Sequence, residues 1–266
     1  MLTSAYFAQD NPRNGVVIKQ VAQDIALAQP PARALFIRTP TTGGWLEQTQ
    51  LPVETRITRA YYAVSHQHPS EPFPSRDEFL SAMQEKVASG ELFDLILVDF
   101  YHEYDHSVTD FELCWSLLSP DGVLIAHDCA PTYPEFAAPV FIKGSWGGTT
   151  YAALMTLSLR HPGLAITVLD TDTGIGILRQ RGAAVWQKRL PAVERNESLL
   201  TEFQALVDAR RFAEAYRFFR KHGAVLADLR TNRKHLLMRR LRPLKRRIYS
   251  ALGMTPKHSV QTTSAL

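Results

Sequence analysis

The chain has 266 residues, 45% hydrophobic and 21% charged, with a formal net charge of +4. That balance excludes a disordered or fibrous chain and suits one α/β domain with an appendage. Two cysteines, Cys114 and Cys129, are too few for a disulfide framework and point to a reducing compartment. No apolar run approaches the ~18 residues of a membrane span, and residues 1–9 lack the basic-then-apolar order of a signal peptide. The expectation is a cytoplasmic protein.

In chain order, residues 14–28 carry a helical apolar pattern that Pro30 and Pro31 end. A short strand over 34–37 runs into Arg38-Thr-Pro-Thr-Thr-Gly43-Gly44, with a helix start expected at Trp45. A glycine turn between strand and helix lets backbone amides approach a ligand closely. Residues 57–64 read as a second strand, followed by His66 and His68 in a Pro-rich loop, where a solvated pair is the plain reading and a metal pair the alternative. Residues 75–87 read as a helix opened by a capping box of Ser75 and Glu78.

The centre of the chain is 93–129. Residues 93–98 are almost all apolar, as in a parallel strand buried on both faces, and end at Asp99. His102, Glu103, Asp105 and His106 follow, then a helix over 107–118, a turn at Pro120-Asp121-Gly122, and a second buried run over 123–126 that stops at His127, Asp128 and Cys129. Two parallel strands thus bring polar groups to their carboxyl ends, the edge where open α/β sheets bind ligands.

Beyond lies a long loop over 129–148, in which Trp146 either stacks on a substrate or anchors the loop, and a helix over 149–160. Runs 164–169 and 174–178, joined by Asp170-Thr-Asp172-Thr, predict an antiparallel hairpin at one sheet edge, and the sheet is expected to end near 180. Residues 197–222 read as two short helices broken near 208–211. From Arg230 to Arg247, basic residues alternate with Leu237, Leu241, Leu244 and Ile248 at helical spacing, kinked at Pro243. This basic amphipathic helix would lie on an acidic membrane surface, meet nucleic acid or a partner, or pack on its own domain. The division expected is 1–180 for the α/β domain, 181–252 for a basic helical extension and 253–266 for a disordered tail.

The pattern FDLILVD…LLSPDGVLIAHD resembles the fourth and fifth strands of class I S-adenosylmethionine-dependent methyltransferases, and is most similar to the small O-methyltransferase-like groups. The resemblance is clear over about 90–130 and fainter in the TDTGIGIL strand pair. It implies a Rossmann-like, mostly parallel sheet with an antiparallel C-terminal strand pair, here followed by a helical extension. It implies S-adenosylmethionine as cofactor, faced by Thr39, Gly43, Gly44, Ser65 and Asp99. The family's first strand usually ends in an acid followed by a glycine; Phe36 and Arg38 stand there. Its second strand usually ends in an acid that holds the cofactor ribose, and Tyr62-Ala-Val-Ser65 offers none. The segment before the fourth family strand is short enough to lack one strand-helix unit.

By the same resemblance, Asp99 and Asp128 would be ligands of a divalent metal, with Cys129 and His102 replacing an amide and a lysine. Carboxylates suit Mg-like ions, whereas cysteine and histidine favour a softer one such as zinc. His102, with an unperturbed pKa near ~6.5, suits proton abstraction from a hydroxyl without any metal; His106 and His127 are nearby alternatives. The expected activity is O-methylation of a small molecule or sugar, with His102, Asp99 and Asp128 catalytic. The competing readings are a non-catalytic scaffold acting through residues 230–252, which would place it peripherally on a membrane, and a metal-dependent hydrolase or sugar-modifying protein. A homo-oligomer is compatible with any of them.

Overall fold

The structure, a computed structural model, describes residues 17–64, 73–142, 146–187 and 190–231. Ser65, His66, His68 and nearly all of the basic helix and the tail lie outside the described residues.

The longest apolar runs form the middle of the sheet. β1 (Arg33–Arg38) and β3 (Phe93–Asp99) are buried along most of their length, and β4 (Leu118–Ala126) over its second half. Such runs suit strands covered on both faces. β2 (Arg56–Tyr61) carries two arginines, has no fully buried residue and is half exposed, as expected at an edge. β5 (Leu164–Leu169), β6 (Ile175–Gln180) and β7 (Leu229–Arg230) complete seven strands in the order β2-β1-β3-β4-β6-β5-β7. β2, β1, β3 and β4 are mutually parallel, and β6 runs antiparallel to both β4 and β5. This is the Rossmann-like arrangement expected, with only β2 lying beyond β1.

From β1 the chain moves outward to β2, then returns to β3 on the other side of β1. The direction therefore reverses between β1 and β3, where open sheets form a ligand crevice. Register places the polar residues there. Arg38 pairs with Asp99, and Val98 with Ala126, so Asp99 stands between Arg38 and His127.

Helices cover both faces. α1 (Ile18–Ala28) buries Ile18, Val21 and Ile25 with Phe36, Leu97 and Ile177 on one side, together with Trp186 of the short α5 (Ala184–Gln187). On the other side lie α2 (Arg76–Ala88), α3 (Tyr104–Ser116), α4 (Thr150–Arg160), α6 (Glu197–Asp208) and α7 (Phe212–Leu226). α2 opens with the expected capping box of Ser75 and Glu78. Phe203, Val207, Tyr216 and Phe219 of α6 and α7 share a core with Tyr151 and Leu154 of α4.

Four expectations are corrected. No α-helix starts at Trp45; residues Leu46–Gln48 make a single 3-10 turn. Pro120-Asp121-Gly122 falls inside β4, where the β3–β4 register shifts between Phe93 and Leu95. The sheet does not end near 180, because β7 pairs in parallel with β5 through Val168 and Leu169. For the same reason the β5–β6 hairpin is not at the edge: β6 is interior, and β7 covers β5.

Candidate active site at the carboxyl edge of β3 and β4

Asp99, His102 and Asp128 meet at the carboxyl ends of β3 and β4. One ligand atom from each lies within 4.8 Å of the others, and all three residues are buried. His102 Nε2 is 3.1 Å from Asp128 Oδ2 and 3.8 Å from Asp99 Oδ1. Its Nδ1 faces the Thr150 hydroxyl at 3.3 Å.

Asp99 is held by the loop after β1. Its Oδ2 accepts from the Gly43 amide at 2.9 Å and from Trp45 Nε1 at 2.8 Å. Its Oδ1 is buried and has no hydrogen-bond partner among the described residues. A buried carboxylate oxygen without a donor is unfavourable unless a cation or hydroxyl reaches it. That atom points to a ligand.

Asp128 adopts φ 57°, the left-handed region, which Asp tolerates better than most residues but which still stores some strain. His127 sits across from His102, its Nδ1 3.4 Å from both Asp99 Oδ2 and Asp128 Oδ2, and its Nε2 3.6 Å from Asp172 Oδ2. Burial alone would lower the His127 pKa, but Asp128 and Asp99 hold it well above the ordinary value. Burial opposes ionisation of Asp128 and Asp172 too, but His127 and His102 hold the Asp128 carboxyl, and His127 and the Ile18 amide that of Asp172, below the usual range. Three carboxylates around two imidazoles leave the rim electronegative even with His127 protonated, which suits a cation.

The other sequence-derived candidates separate. Thr39 is buried and its hydroxyl contacts that of Thr42 at 2.9 Å, closing the turn. The Gly43 amide is taken by Asp99. At φ 72° a side chain there would also be strained, and its Cβ would come 2.5 Å from Arg38 Cβ. A Cβ at Gly44 would meet nothing within 4 Å, so space opens beside it. His106 is outside the cluster, with Nδ1 3.7 Å from Glu103. Cys129 leaves the metal set implied by the resemblance: its sulfur points to the carbonyls of Ala126 and His127 and packs against Gly176. Burial raises its thiol far above the ordinary value. Trp146 anchors its loop, donating to the Ala138 carbonyl at 2.8 Å, with its ring 5.5 Å from that of His102.

Trp45, Thr150, Asp172 and Thr173 were not singled out as site residues. Asp172 and Thr173 reach the rim because antiparallel β6 begins where β4 ends, and the amides of Cys129 and Ala130 donate to Gly174 and Thr173. Their only signal in the sequence was a polar hairpin turn.

Arg38 turns its guanidinium toward the end of β2. Its stem crosses Gly43, and its guanidinium lies 4.9 Å from the Tyr61 ring centroid and 5.4 Å from that of Phe73. Glu47 Oε1 is 3.7 Å from Arg38 Nε and accepts from the Tyr61 hydroxyl at 3.1 Å, while Arg59 Nε is 3.4 Å from Glu47 Oε2.

Residues 5–129 match the family described as "Methyltransferase domain", which supports the resemblance to class I S-adenosylmethionine-dependent methyltransferases. No curated protein matches the sequence. Among solved structures, the chain is similar to an O-methyltransferase from Bacillus cereus in complex with SAH, at 18% identity and a TM-score of 0.42, covering 64% of this chain and 84% of that one. It is also similar to an SAH-bound methyltransferase from Podospora anserina, at 14% identity and a TM-score of 0.40, covering 61% and 77%. Among the described residues, no helix is long and apolar enough to cross a membrane.

Proposed function

We propose, taking the methyltransferase-domain match over residues 5–129 as premise, that the chain moves a methyl group from S-adenosylmethionine to an oxygen of a small molecule or sugar. The observation that carries this reading is the convergence of Asp99, His102 and Asp128 at one rim beside the Gly43 turn. Methyl transfer needs an in-line approach and the removal of one proton, so most of the rate enhancement would come from positioning.

In this reading the acceptor hydroxyl enters beside Asp99 Oδ1, the oxygen without a donor. His102 takes its proton, and Asp128, 3.1 Å from Nε2, stabilises the imidazolium. Thr150 holds the other ring nitrogen and so fixes the ring's orientation. The residues also fit a divalent cation: Asp99 and Asp128 would hold it, with His102 Nε2 at the same centre. When bound, such an ion supplies Lewis-acid polarisation of the acceptor oxygen. Gly44 and the turn from Thr39 would face the cofactor.

The Arg38 stem laid across the Gly43 turn favours the second reading, a non-catalytic scaffold. The basic run from Arg230 to Arg247 supports its docking to an acidic surface. Calorimetric titration of the full chain with S-adenosylmethionine and S-adenosylhomocysteine separates the two. Saturable heat with one site per chain is expected of the enzyme. No heat at high protein concentration leaves the scaffold.

A further inference from the structure

The turn after β1 is built around one side chain. Thr42 donates its hydroxyl to the Asp99 backbone carbonyl. The Gly43 amide donates to Asp99 Oδ2 at 2.9 Å, and the Trp45 indole donates to the same oxygen at 2.8 Å. The Leu46 amide closes the turn on the Gly43 carbonyl at 2.9 Å. The Trp45 ring packs against the core that holds Phe36 and Leu97 and lies 6.3 Å from the His127 ring. No step of the methyl transfer above uses this indole. Asp99 is satisfied on one side only, because both donors fall on Oδ2 while Oδ1 is buried without a hydrogen-bond partner among the described residues. The terminal torsion of an aspartate is broad, and His102 Nε2 is 3.8 Å from Oδ1. A rotation toward His102 would satisfy Oδ1 and draw Oδ2 off the turn, which relieves one costly orphan at the loss of two bonds. With a cation on Oδ1 that alternative disappears and both donors stay in place. The turn thus has two arrangements, and a ligand of Asp99 favours one of them.

We propose that Trp45 is a positioning residue: with the Gly43 amide it holds Asp99 Oδ1 toward the rim, and through that bond it couples a divalent cation on Asp99 and Asp128 to the methyl donor at the turn. This rests on the methyl-donor reading above and adds the regulation of that site. Trp45 and Gly43 stay on Oδ2 when Oδ1 is engaged, so the methyl donor meets a turn already ordered and binds tighter. The effect is reciprocal: the methyl donor raises the affinity for the cation by the same factor. A purely structural side chain would change both affinities and leave their coupling alone.

The test is calorimetric titration of the full chain with S-adenosylhomocysteine in EDTA and in MgCl2, with MnCl2 run alongside. In the wild type the cation is expected to tighten S-adenosylhomocysteine about five-fold or more. Trp45→Phe keeps a ring against the core and removes the N–H. It should still bind S-adenosylhomocysteine, with the cation's effect reduced to a factor of about one. Thr42→Val frees the same turn from the Asp99 carbonyl but leaves both donors on Oδ2. It should keep the wild-type factor even where it weakens S-adenosylhomocysteine itself. Thermal melts confirm that each variant is folded. A measurement on the wild type alone needs no variant: solvent exchange of the Trp45 indole hydrogen, read by NMR, is expected to slow about five-fold or more when MgCl2 is added. If the wild type binds S-adenosylhomocysteine but neither chloride tightens it, the proposal is wrong and the methyl-donor reading stands. The same holds if Trp45→Phe keeps the full factor, if Thr42→Val loses it, or if the indole exchange is unchanged. If the wild type binds no S-adenosylhomocysteine, both are wrong.

Discussion

Replacing Gly148 with alanine is expected to lower the thermal midpoint by about 6–12 °C, the equivalent of about 3 kcal/mol in a chain of this size. Gly148 adopts φ 53°, and a Cβ there would sit 2.1 Å from the His102 carbonyl oxygen and 2.7 Å from His102 Cβ. The neighbouring Thr149 amide donates to that same carbonyl at 2.8 Å, and Thr150 holds the His102 ring. The backbone has no room to yield without moving His102 from between Asp99 and Asp128. Binding of S-adenosylhomocysteine should fall together with stability. Gly44→Ala is the control: it meets nothing within 4 Å and should leave the midpoint within a degree or two, about 0.5 kcal/mol. Differential scanning calorimetry of the two variants reads both results.

A loss of about 3–5 kcal/mol is expected from Asp110→Ala, because it leaves a half-buried guanidinium without its partner. Asp110 is 1% exposed. It accepts from Arg76 Nη2 at 2.8 Å and from the Tyr62 hydroxyl at 2.6 Å. Tyr62 in turn accepts from the Tyr101 amide at 3.0 Å, one residue before His102. Asp110 therefore ties the start of α2 and the end of β2 to α3 and the loop that carries His102. Burial pushes its carboxyl above the ordinary range even against the pull of Arg76. The pair as a unit therefore contributes little net stability, while either half alone is costly. The double variant Asp110→Leu with Arg76→Met should accordingly lose less than the sum of the two single changes, which denaturant unfolding of all three measures.

The centre of the fold was legible because its physics is local. β3 and β4 announce themselves as apolar runs too short for helices, and a parallel strand's carboxyl end is the conventional ligand edge, so Asp99 and Asp128 could be read as neighbours before any coordinates. The capping box of Ser75 was equally local. The rest depended on distant contacts. Thr150 and Asp172 reach His102 and His127 from more than 40 residues away, carried there by α4 and by the antiparallel return of β6. β7 consists of two residues whose pairing with β5 is fixed by α7 packing on the core, and two residues carry no period. The position of Arg38 is set by rings at 61 and 73, and backbone periodicity says nothing of where a long side chain lies. Cys129 was misplaced for a related reason: it follows Asp128, whose left-handed backbone turns the next side chain into the core against Gly176.

The central claim is that the rim shared by Asp99, His102 and Asp128 is where ligand chemistry takes place. A crystal structure of the full chain grown with saturating S-adenosylhomocysteine tests it most directly. The account predicts the ligand in the crevice between β1 and β3, its sulfur end turned to Asp99 and Asp128. Ligand bound on another face of the sheet, with the three side chains unchanged, would contradict it.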